Sequence, residues 1–350
     1  MLIIAGFLIG AWLLSPLWKN KKFRNLYLFL IWVALIFITS YRSYTFYTDT
    51  KAYYNFYEMN AGKDLGVLFN NVINQEGKDP FYHFLGSLFA HMGIGFRGWL
   101  VFVSIIYYSG AIYAIKRFSK VPFIAVLGLV TMSYVFFTMT GIRQTLAFGF
   151  TFFAFAKAYD KKFIPFLIFT MLGALFHSSA LIFILAYFLM HRKFGVIQVS
   201  LLVGAMGIAL VAPGVINTLV RRLAWNEDLA AYAEKTTGLT IFGYVVQFAL
   251  AAGSILIAPK YCLESDEGRA LLNMVVLGLV FQSFVIRIDN IFRLSMYFSV
   301  YGLILVSNAL KQQKERSYIL AYSVVCAAML AYMVYAGAYN SFTMFGGIYG

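Results

Sequence analysis

The chain has 350 residues, of which 61% are hydrophobic and only 12% are charged, and its formal net charge is +14. No soluble globular domain of this size needs so apolar a composition, so that class is excluded. The basic residues cluster in short segments between apolar runs. This pattern is typical of the cytoplasmic loops of membrane proteins and does not indicate nucleic-acid binding.

Twelve apolar segments predict an all-α, polytopic integral membrane protein, with a single transmembrane domain over residues 1–350. The predicted spans are residues 2–18, 23–41, 98–115, 121–138, 143–159, 163–176, 178–190, 194–212, 239–258, 270–287, 291–310 and 318–338. The first lacks a basic start and a small-residue cleavage site, so we expect a retained helix. Segments 163–176 and 178–190 are shorter than the roughly 20 residues a span needs, which predicts short broken or re-entrant helices.

Clusters of lysine and arginine define the predicted orientation, because such clusters stay on the cytoplasmic side. They lie at residues 19–24, 116–120, 157–162, 192–193 and 311–316. All of them stay inside only if both termini are outside, segment 81–92 does not cross, and segment 163–190 crosses twice with a turn near His177. About twelve crossings result. Two long outer loops, 42–80 and 213–238, are predicted on the face where function usually lies.

Four arginines stand at predicted outer ends of helices: Arg42, Arg143, Arg287 and Arg293. Arginine keeps its charge in a dry site and binds phosphate oxygens in pairs. Arg143 and Arg293 are also near predicted helix N-termini, which attract anions. The set predicts a binding site for a lipid diphosphate. The alternative is that Arg287 pairs with Asp289 and that Arg42 only extends to the membrane interface.

Three side chains are candidates for a catalytic base. His177 lies in the predicted turn, where a neutral imidazole could accept a proton from a sugar hydroxyl, although it could also be a satisfied core histidine. Asp49 and Asp79 in the first outer loop are rival bases. Asp79 could instead be the N-cap of a helix that begins at Pro80.

Tyrosines and an amide beside these residues are candidates for sugar binding. They are Tyr44, Tyr47, Tyr53 and Gln144. Aromatic rings can stack on sugars, although an interfacial aromatic belt explains the tyrosines equally well. Motifs for nucleotide binding, zinc binding and a serine nucleophile are absent from the sequence, which argues against ATP hydrolysis, redox chemistry and proteolysis. No cofactor is predicted.

Several short motifs stand in a fixed order along the chain. They are Tyr41-Arg42 with Asp49 downstream, Asp79-Pro80-Phe81-Tyr82, Gly141-Ile142-Arg143-Gln144-Thr145-Leu146-Ala147, Phe176-His177-Ser178-Ser179-Ala180-Leu181, Arg287, and Arg293 with Tyr297-Phe298. In these residues, which extend over most of the chain, the sequence resembles the EpsG family of Wzy-like polysaccharide polymerases. The pieces around Arg143 and His177 are the most specific. Many members have glutamate where this chain has Asp79.

The resemblance implies an enzyme that joins O-antigen, capsule or exopolysaccharide repeat units on the outer face of the bacterial cytoplasmic membrane. A hydroxyl of an incoming lipid-linked unit attacks the anomeric carbon of the growing chain, which leaves its undecaprenyl diphosphate carrier. The arginines would stabilise the diphosphate, one of the three candidate bases would deprotonate the acceptor, and no metal or nucleotide is expected. The expected partners are lipid-linked glycans and membrane lipids, with a chain-length regulator and a flippase as further candidates.

Two other functions stay open at the level of sequence. A transporter of lipid-linked oligosaccharides would handle the same substrate, but such proteins usually show internal repeats and a polar site at the membrane midplane, and this sequence shows neither. The other alternative is an O-antigen ligase or a polysaccharide acyltransferase.

Overall fold

The computed structural model describes residues 1–44, 48–212, 214, 215, 218 and 241–337. Every regular element in that part of the chain is helical, which confirms the predicted all-α class. Contacts divide the chain into two compact units, residues 1–181 with 323–350 and residues 182–322. The single transmembrane domain stays a prediction.

The first unit contains α1 (Leu2–Leu13), α2 (Arg24–Ser40), α3 (Thr48–Ala61), α4 (Leu65–Asn74), α5 (Pro80–His91), α6 (Phe96–Phe118), α7 (Pro122–Thr131), α8 (Tyr134–Thr140), α9 (Ile142–Tyr159) and α10 (Phe163–Phe176). The second unit contains α11 (Ile184–Leu189), α12 (Val196–Val211), α13 (Phe242–Ile257), α14 (Pro259–Glu264), α15 (Asp266–Val285), α16 (Phe292–Ser299) and α17 (Tyr301–Lys311). Helix α18 (Glu315–Ala336) begins in the second unit and ends in the first. Short 3-10 helices occupy Ser15–Lys19, Ser178–Phe183 and Asp289–Ile291.

Five helical segments of the described chain are long and apolar enough to cross a membrane. They are Leu2–Lys19, Phe96–Phe118, Asp266–Val285, Phe292–Lys311 and Glu315–Ala336. Helices α7 and α8 make a sixth if the bent pair counts as one span. The count of about twelve crossings is therefore not confirmed, because several further apolar helices have only 10–17 residues.

One predicted span is broken. The sequence predicts a single helix over residues 121–138, but α7 and α8 meet there at a bend of 47°. Ser133, directly before α8, has a left-handed backbone with φ of 64°. Such a residue cannot continue a right-handed helix, and the apolar composition of the segment conceals the break.

The segment predicted as the first outer loop is largely helical, because α3 and α4 lie within residues 42–80. The Asp64 carboxylate starts α4 by accepting a hydrogen bond from the backbone N–H of Val67 at 3.0 Å. Helix α5 follows with 12 residues, a length of about 18 Å that is too short to span a bilayer. Of the second predicted outer loop, 213–238, nearly all lies outside the described residues.

Close helix packing in the first unit sets the frame for the site. Helix α9 packs against α6, where a Cβ added to Gly149 would stand 2.8 Å from the carbonyl oxygen of Ile106. Helix α10 also packs against α9, where a Cβ added to Gly173 would stand 3.1 Å from the carbonyl oxygen of Ala147. Small residues allow such close approach of membrane helices. These contacts fix the start of α9 relative to the end of α10.

In the second unit, α15 packs against α12, α13, α16 and α17. Buried amides connect these helices. Gln198 Nε2 donates to Asn273 Oδ1 at 3.0 Å, and Gln247 Nε2 donates to Gln282 Oε1 at 3.1 Å. Side-chain pairs of this kind satisfy polar groups that would otherwise be costly within an apolar bundle.

Candidate active site

The break between α8 and α9 places Arg143 in the first turn of a helix, where the neighbouring residues are buried and Arg143 is partly exposed. Gly141 is the single residue between α8 and α9, and Arg143 is the second residue of α9. The helix N-terminus presents backbone N–H groups with a partial positive charge. The predicted break at this position is confirmed.

His177 ends α10. Its backbone is extended, with φ of −159° and ψ of 114°, and a 3-10 helix follows over Ser178–Phe183. The neighbouring Phe176 ring packs edge-on against Phe81 at 5.1 Å and stacks on Phe150 at 5.8 Å between ring centroids. These aromatic contacts hold the end of α10 against the beginning of α5, so His177 is brought next to the residue that precedes α5.

That residue is Asp79, which joins Arg143 and His177 in one cluster. Its Oδ2 lies 3.1 Å from Nη1 of Arg143, and its Oδ1 lies 3.3 Å from Nδ1 of His177. Asp79 does stand at the N-cap of α5, as one of the sequence alternatives had it, with Pro80 at the first position. That alternative is confirmed for its position in the helix, but the Asp79 side chain makes no capping hydrogen bond and meets Arg143 and His177 instead.

The electrostatics of the cluster favour an ionised carboxylate. Burial is the largest influence on Asp79 and opposes ionisation, but the hydrogen bond and charge of His177 and the charge of Arg143 outweigh it, so the pKa of Asp79 lies below its usual value. The Asp79 side chain is only 7% exposed, whereas those of Arg143 and His177 are 19% and 21% exposed. Arg143 and His177 therefore offer edges to a ligand, and the carboxylate does not.

The hydrogen bond to Asp79 also assigns the nitrogens of His177. An ionised carboxylate only accepts, so Nδ1 of His177 carries the hydrogen and Nε2 of a neutral ring is left as the acceptor. An imidazole held in this way can take a proton from a hydroxyl, as in the aspartate–histidine pairs of hydrolases. The nearby guanidinium can stabilise negative charge that develops on a leaving group.

One comparison with known proteins gives a match. The model of the EpsG family matches residues 25–345, which is nearly the whole chain. The chain belongs to the EpsG family. No curated protein and no solved structure matches it. EpsG membership indicates a membrane protein of polysaccharide biosynthesis with a polymerase-like activity.

Two tyrosines border the cluster in this EpsG-family site. The Tyr53 ring centroid lies 5.7 Å from Cζ of Arg143, and the Tyr82 ring packs edge-on against Tyr53 at 6.1 Å. The Tyr82 hydroxyl accepts a hydrogen bond from Nε1 of Trp99 at 3.1 Å. Sugar binding by Tyr53 stays a prediction. Tyr82 is not among the site residues predicted from the sequence, although it stands in the same motif as Asp79.

Arg42 is held inside the protein and does not extend to the interface, so that sequence alternative is wrong. Its side chain is 1% exposed. The guanidinium donates to the carbonyl oxygens of Thr39 and, at 2.9 Å, of Met139. The Thr50 hydroxyl donates to the same Met139 oxygen at 2.9 Å. These bonds tie α2, α3 and α8 together, and diphosphate binding by Arg42 stays a prediction.

Arg97, in the first turn of α6, was missed by the sequence analysis. It donates to the carbonyl oxygens of Ser40 and Arg42 at 2.6 and 2.7 Å. Its Cζ lies 4.3 Å from the ring centroid of Tyr44, a predicted sugar ligand, and 5.4 Å from that of Tyr41. An arginine in the first turn of an apolar helix is the signal that identified Arg143, and it would have identified Arg97 as well.

The other predicted residues of the first unit lie in different surroundings. Asp49 is exposed in the first turn of α3, and Gln144 is buried at 2% exposure on α9. Tyr47 lies outside the described residues. The roles predicted for Asp49, Gln144 and Tyr47 stay predictions.

Arg287 and Arg293 belong to the second unit. Arg287 donates from Nε to the carbonyl oxygen of Ala209 at 3.0 Å and from Nη2 to that of Leu210 at 3.4 Å, at the end of α12. Arg293 is the second residue of α16, as its predicted place near a helix N-terminus requires. Diphosphate binding by these two EpsG-family arginines stays a prediction.

The described part of the chain holds no group of three or more histidine, cysteine, aspartate and glutamate side chains that could bind a metal ion. Asp79 and His177 are the only two such groups that meet in the cluster described above. The expectation of a metal-free reaction stays a prediction.

Proposed function

We propose that this protein polymerises oligosaccharide repeat units carried on undecaprenyl diphosphate. The growing chain of an O-antigen, capsule or exopolysaccharide is transferred onto the incoming unit. The observation that carries this proposal is the meeting of Arg143 and His177 at one buried carboxylate, Asp79, within a chain of the EpsG family. A base and an anion-stabilising group side by side are what glycosyl transfer from a lipid diphosphate requires.

In the proposed reaction, Nε2 of His177 accepts the proton of a sugar hydroxyl on the incoming unit. The hydroxyl oxygen forms a bond to the anomeric carbon of the growing chain. The bond from that carbon to the diphosphate oxygen breaks, and its electron pair leaves with undecaprenyl diphosphate. Arg143 stabilises the charge on the departing diphosphate, and Arg287 and Arg293 are proposed to assist it.

The geometry favours His177 among the three candidate bases. Asp79 is covered and held ionised between the guanidinium of Arg143 and the ring N–H of His177, and its lowered pKa makes it a weak base. Asp49 is exposed to solvent. Asp79 would instead orient the imidazole of His177 and stabilise the imidazolium that forms when the acceptor proton arrives.

The test is Arg143→Ala in the native host, expressed at wild-type abundance. The ladder of surface glycan should collapse to single repeat units, because repeat units still reach the surface but are not joined. Arg117→Ala is a matched control, since Arg117 also forms an ion pair with an aspartate, Asp160, but in a predicted inner segment. An unchanged ladder in the Arg143→Ala strain would refute the site.

The same gel separates the alternatives. Loss of a transporter would leave no repeat units on the surface, and loss of a ligase would leave long polymer attached to undecaprenyl lipid. Surface single units are the outcome specific to a polymerase defect.

The proposal includes an outer-face site and about twelve crossings of the bacterial cytoplasmic membrane, supported by the positions of the basic clusters. In a variant without Cys262 and Cys326, a cysteine introduced by Glu76→Cys or Ser179→Cys should react with a membrane-impermeant maleimide in intact cells. A cysteine introduced by Lys116→Cys should react only after the membrane is permeabilised. Labelling of the Lys116 position alone in intact cells would invert the proposed orientation.

A further inference from the structure

The turn that precedes α5 is tied to α3 by a histidine outside the ion-paired cluster. Nδ1 of His83, one turn after Asp79, lies 3.2 Å from the side-chain nitrogen of Asn60. The His83 ring also hydrogen-bonds to the backbone of Lys78. An amide nitrogen only donates, so Nδ1 is the acceptor, and the opposite ring nitrogen carries the hydrogen that is donated to the Lys78 carbonyl.

Asn60 is itself fixed, so it gives the His83 ring a rigid support. Asn60 is 6% exposed, and its carbonyl oxygen accepts a hydrogen bond from the hydroxyl of Ser87 at 2.7 Å. Ser87 stands on α5, one turn after His83. Two polar bonds from α5 therefore hold the end of α3, and the imidazole bridges that end to the Lys78 carbonyl.

This bonding pattern needs a neutral ring, and the surroundings supply one. Burial lowers the pKa of His83 to about 4, and the charges of Arg143 and Lys63 act in the same direction, while Asp79 and the Lys78 backbone oppose them. His83 is therefore neutral at physiological pH, and its two nitrogens keep distinct roles.

The Lys78 carbonyl belongs to the peptide group that enters Asp79. Asp79 has φ of 51° and ψ of 56°, the left-handed region, which is less favourable than right-handed conformations for a residue with a side chain. In this conformation the carboxylate makes no bond to the first turn of α5 and meets Arg143 and His177 instead. Neighbouring contacts help to hold a conformation of this kind.

We propose that His83 is a positioning residue. By binding both Asn60 of α3 and the Lys78 carbonyl, it keeps Asp79 in the left-handed conformation and so orients His177 and Arg143. This inference rests on the proposed function of the Asp79 cluster, and it assigns His83 no contact with the substrate.

The first experiment measures surface polymer in a strain that lacks the native gene and carries each variant at equal abundance. His83→Ala should reduce polymer relative to single repeat units by at least about tenfold, because small displacements of catalytic groups have large effects on rate. His83→Gln should restore most of it, since a glutamine amide can accept from Asn60 and donate to Lys78. His91→Ala is the matched control, because His91 on the same helix bonds only to Ser87.

The second experiment asks whether His83 acts through Asp79, using thermal unfolding of the purified protein in detergent. His83→Gln, His83→Ala, Asp79→Asn and the double variant of Asp79→Asn with His83→Ala are compared. If the two residues act together, the double variant should unfold at nearly the temperature of the less stable single variant. A loss equal to the sum of the two single losses would overturn the proposal.

Two outcomes of the ladder experiment would also overturn it: a normal ladder in the His83→Ala strain, or a His83→Gln strain as defective as His83→Ala. The Arg143→Ala strain separates this failure from failure of the proposed function. If Arg143→Ala abolishes polymer and His83→Ala does not, only the role of His83 is refuted. If neither affects polymer, the function of the whole cluster is refuted.

Discussion

Asp79 is the residue through which the candidate site is assembled. It comes from the turn before α5, whereas Arg143 begins α9 and His177 ends α10, and its two carboxylate oxygens reach one partner each. A single buried carboxylate between two basic groups fixes the position of both and leaves each of them an open edge. The arrangement accounts for a base and an anion-binding group held side by side.

Asp79→Asn should weaken both stability and activity. The amide can still accept a hydrogen bond from His177, but Arg143 then lacks a counter-charge in a largely covered site, which should cost about 2 kcal/mol of unfolding free energy. Thermal unfolding of the purified protein measures this loss. Asp49→Asn, at an exposed carboxylate, is the control for stability and should change it by less than about 0.5 kcal/mol.

The same variant should change the acid sensitivity of the protein. The pKa of Asp79 is lowered on folding, so the unfolded chain takes up the proton first, and the ionised carboxylate stabilises the fold above about pH 4. This contribution is lost as the pH falls through the lowered pKa of Asp79 in the folded protein. The difference in unfolding temperature between wild type and Asp79→Asn should therefore shrink on acidification. A difference that stays constant down to about pH 2 would contradict the assigned ion pairs.

At the residue scale, the sequence reveals Arg143 and His177 because each interrupts an apolar run. It does not reveal that Asp79 joins them, because 98 residues separate Asp79 from His177 and only the packing of α5 against α10 brings them together. Nor does a position at a helix end tell whether a guanidinium faces a ligand or, as with Arg42, the carbonyl oxygens of neighbouring helices.

At the element scale, the site depends on how closely α9 approaches its neighbours. Gly149→Ala should destabilise the protein by about 1–3 kcal/mol, because the added carbon would stand 2.8 Å from the carbonyl oxygen of Ile106 and would push α6 from α9. Gly6→Ala on α1 is the matched control, since nothing lies within 4 Å of that position. Equal unfolding temperatures for the two variants would contradict the close packing.

Helix existence was largely predictable from hydropathy, as was the break at Gly141, but the break at Ser133 was not. Most predicted spans coincide with helices, because a continuous apolar run within a membrane has few alternatives to a helix. The break at Ser133 and the helices α3 and α4 were missed. The break depends on the backbone conformation of one residue within an apolar run. Helices α3 and α4 lie in a polar, tyrosine-rich segment whose pattern suggests a loop.

At the scale of the whole molecule, the composition indicates a membrane protein, and the basic clusters predict an inner face that is rich in positive charge. The long segment between α2 and α6 folds as α3, α4 and α5 and supplies Asp79 to the first unit. Buried polar residues, among them Arg42, Thr50, Asn60 and Ser87, lie where these helices meet one another and their neighbours.

The most direct test of the central claim is the reaction itself, with purified protein in liposomes and the lipid-linked repeat unit extracted from the native host. The wild-type protein should form a ladder of polymer and release one undecaprenyl diphosphate for each bond formed. His177→Ala and Arg143→Ala should each form at most about a hundredth as much. Polymer made by both variants at the wild-type rate would contradict the assignment of the Asp79, Arg143 and His177 cluster as the catalytic site.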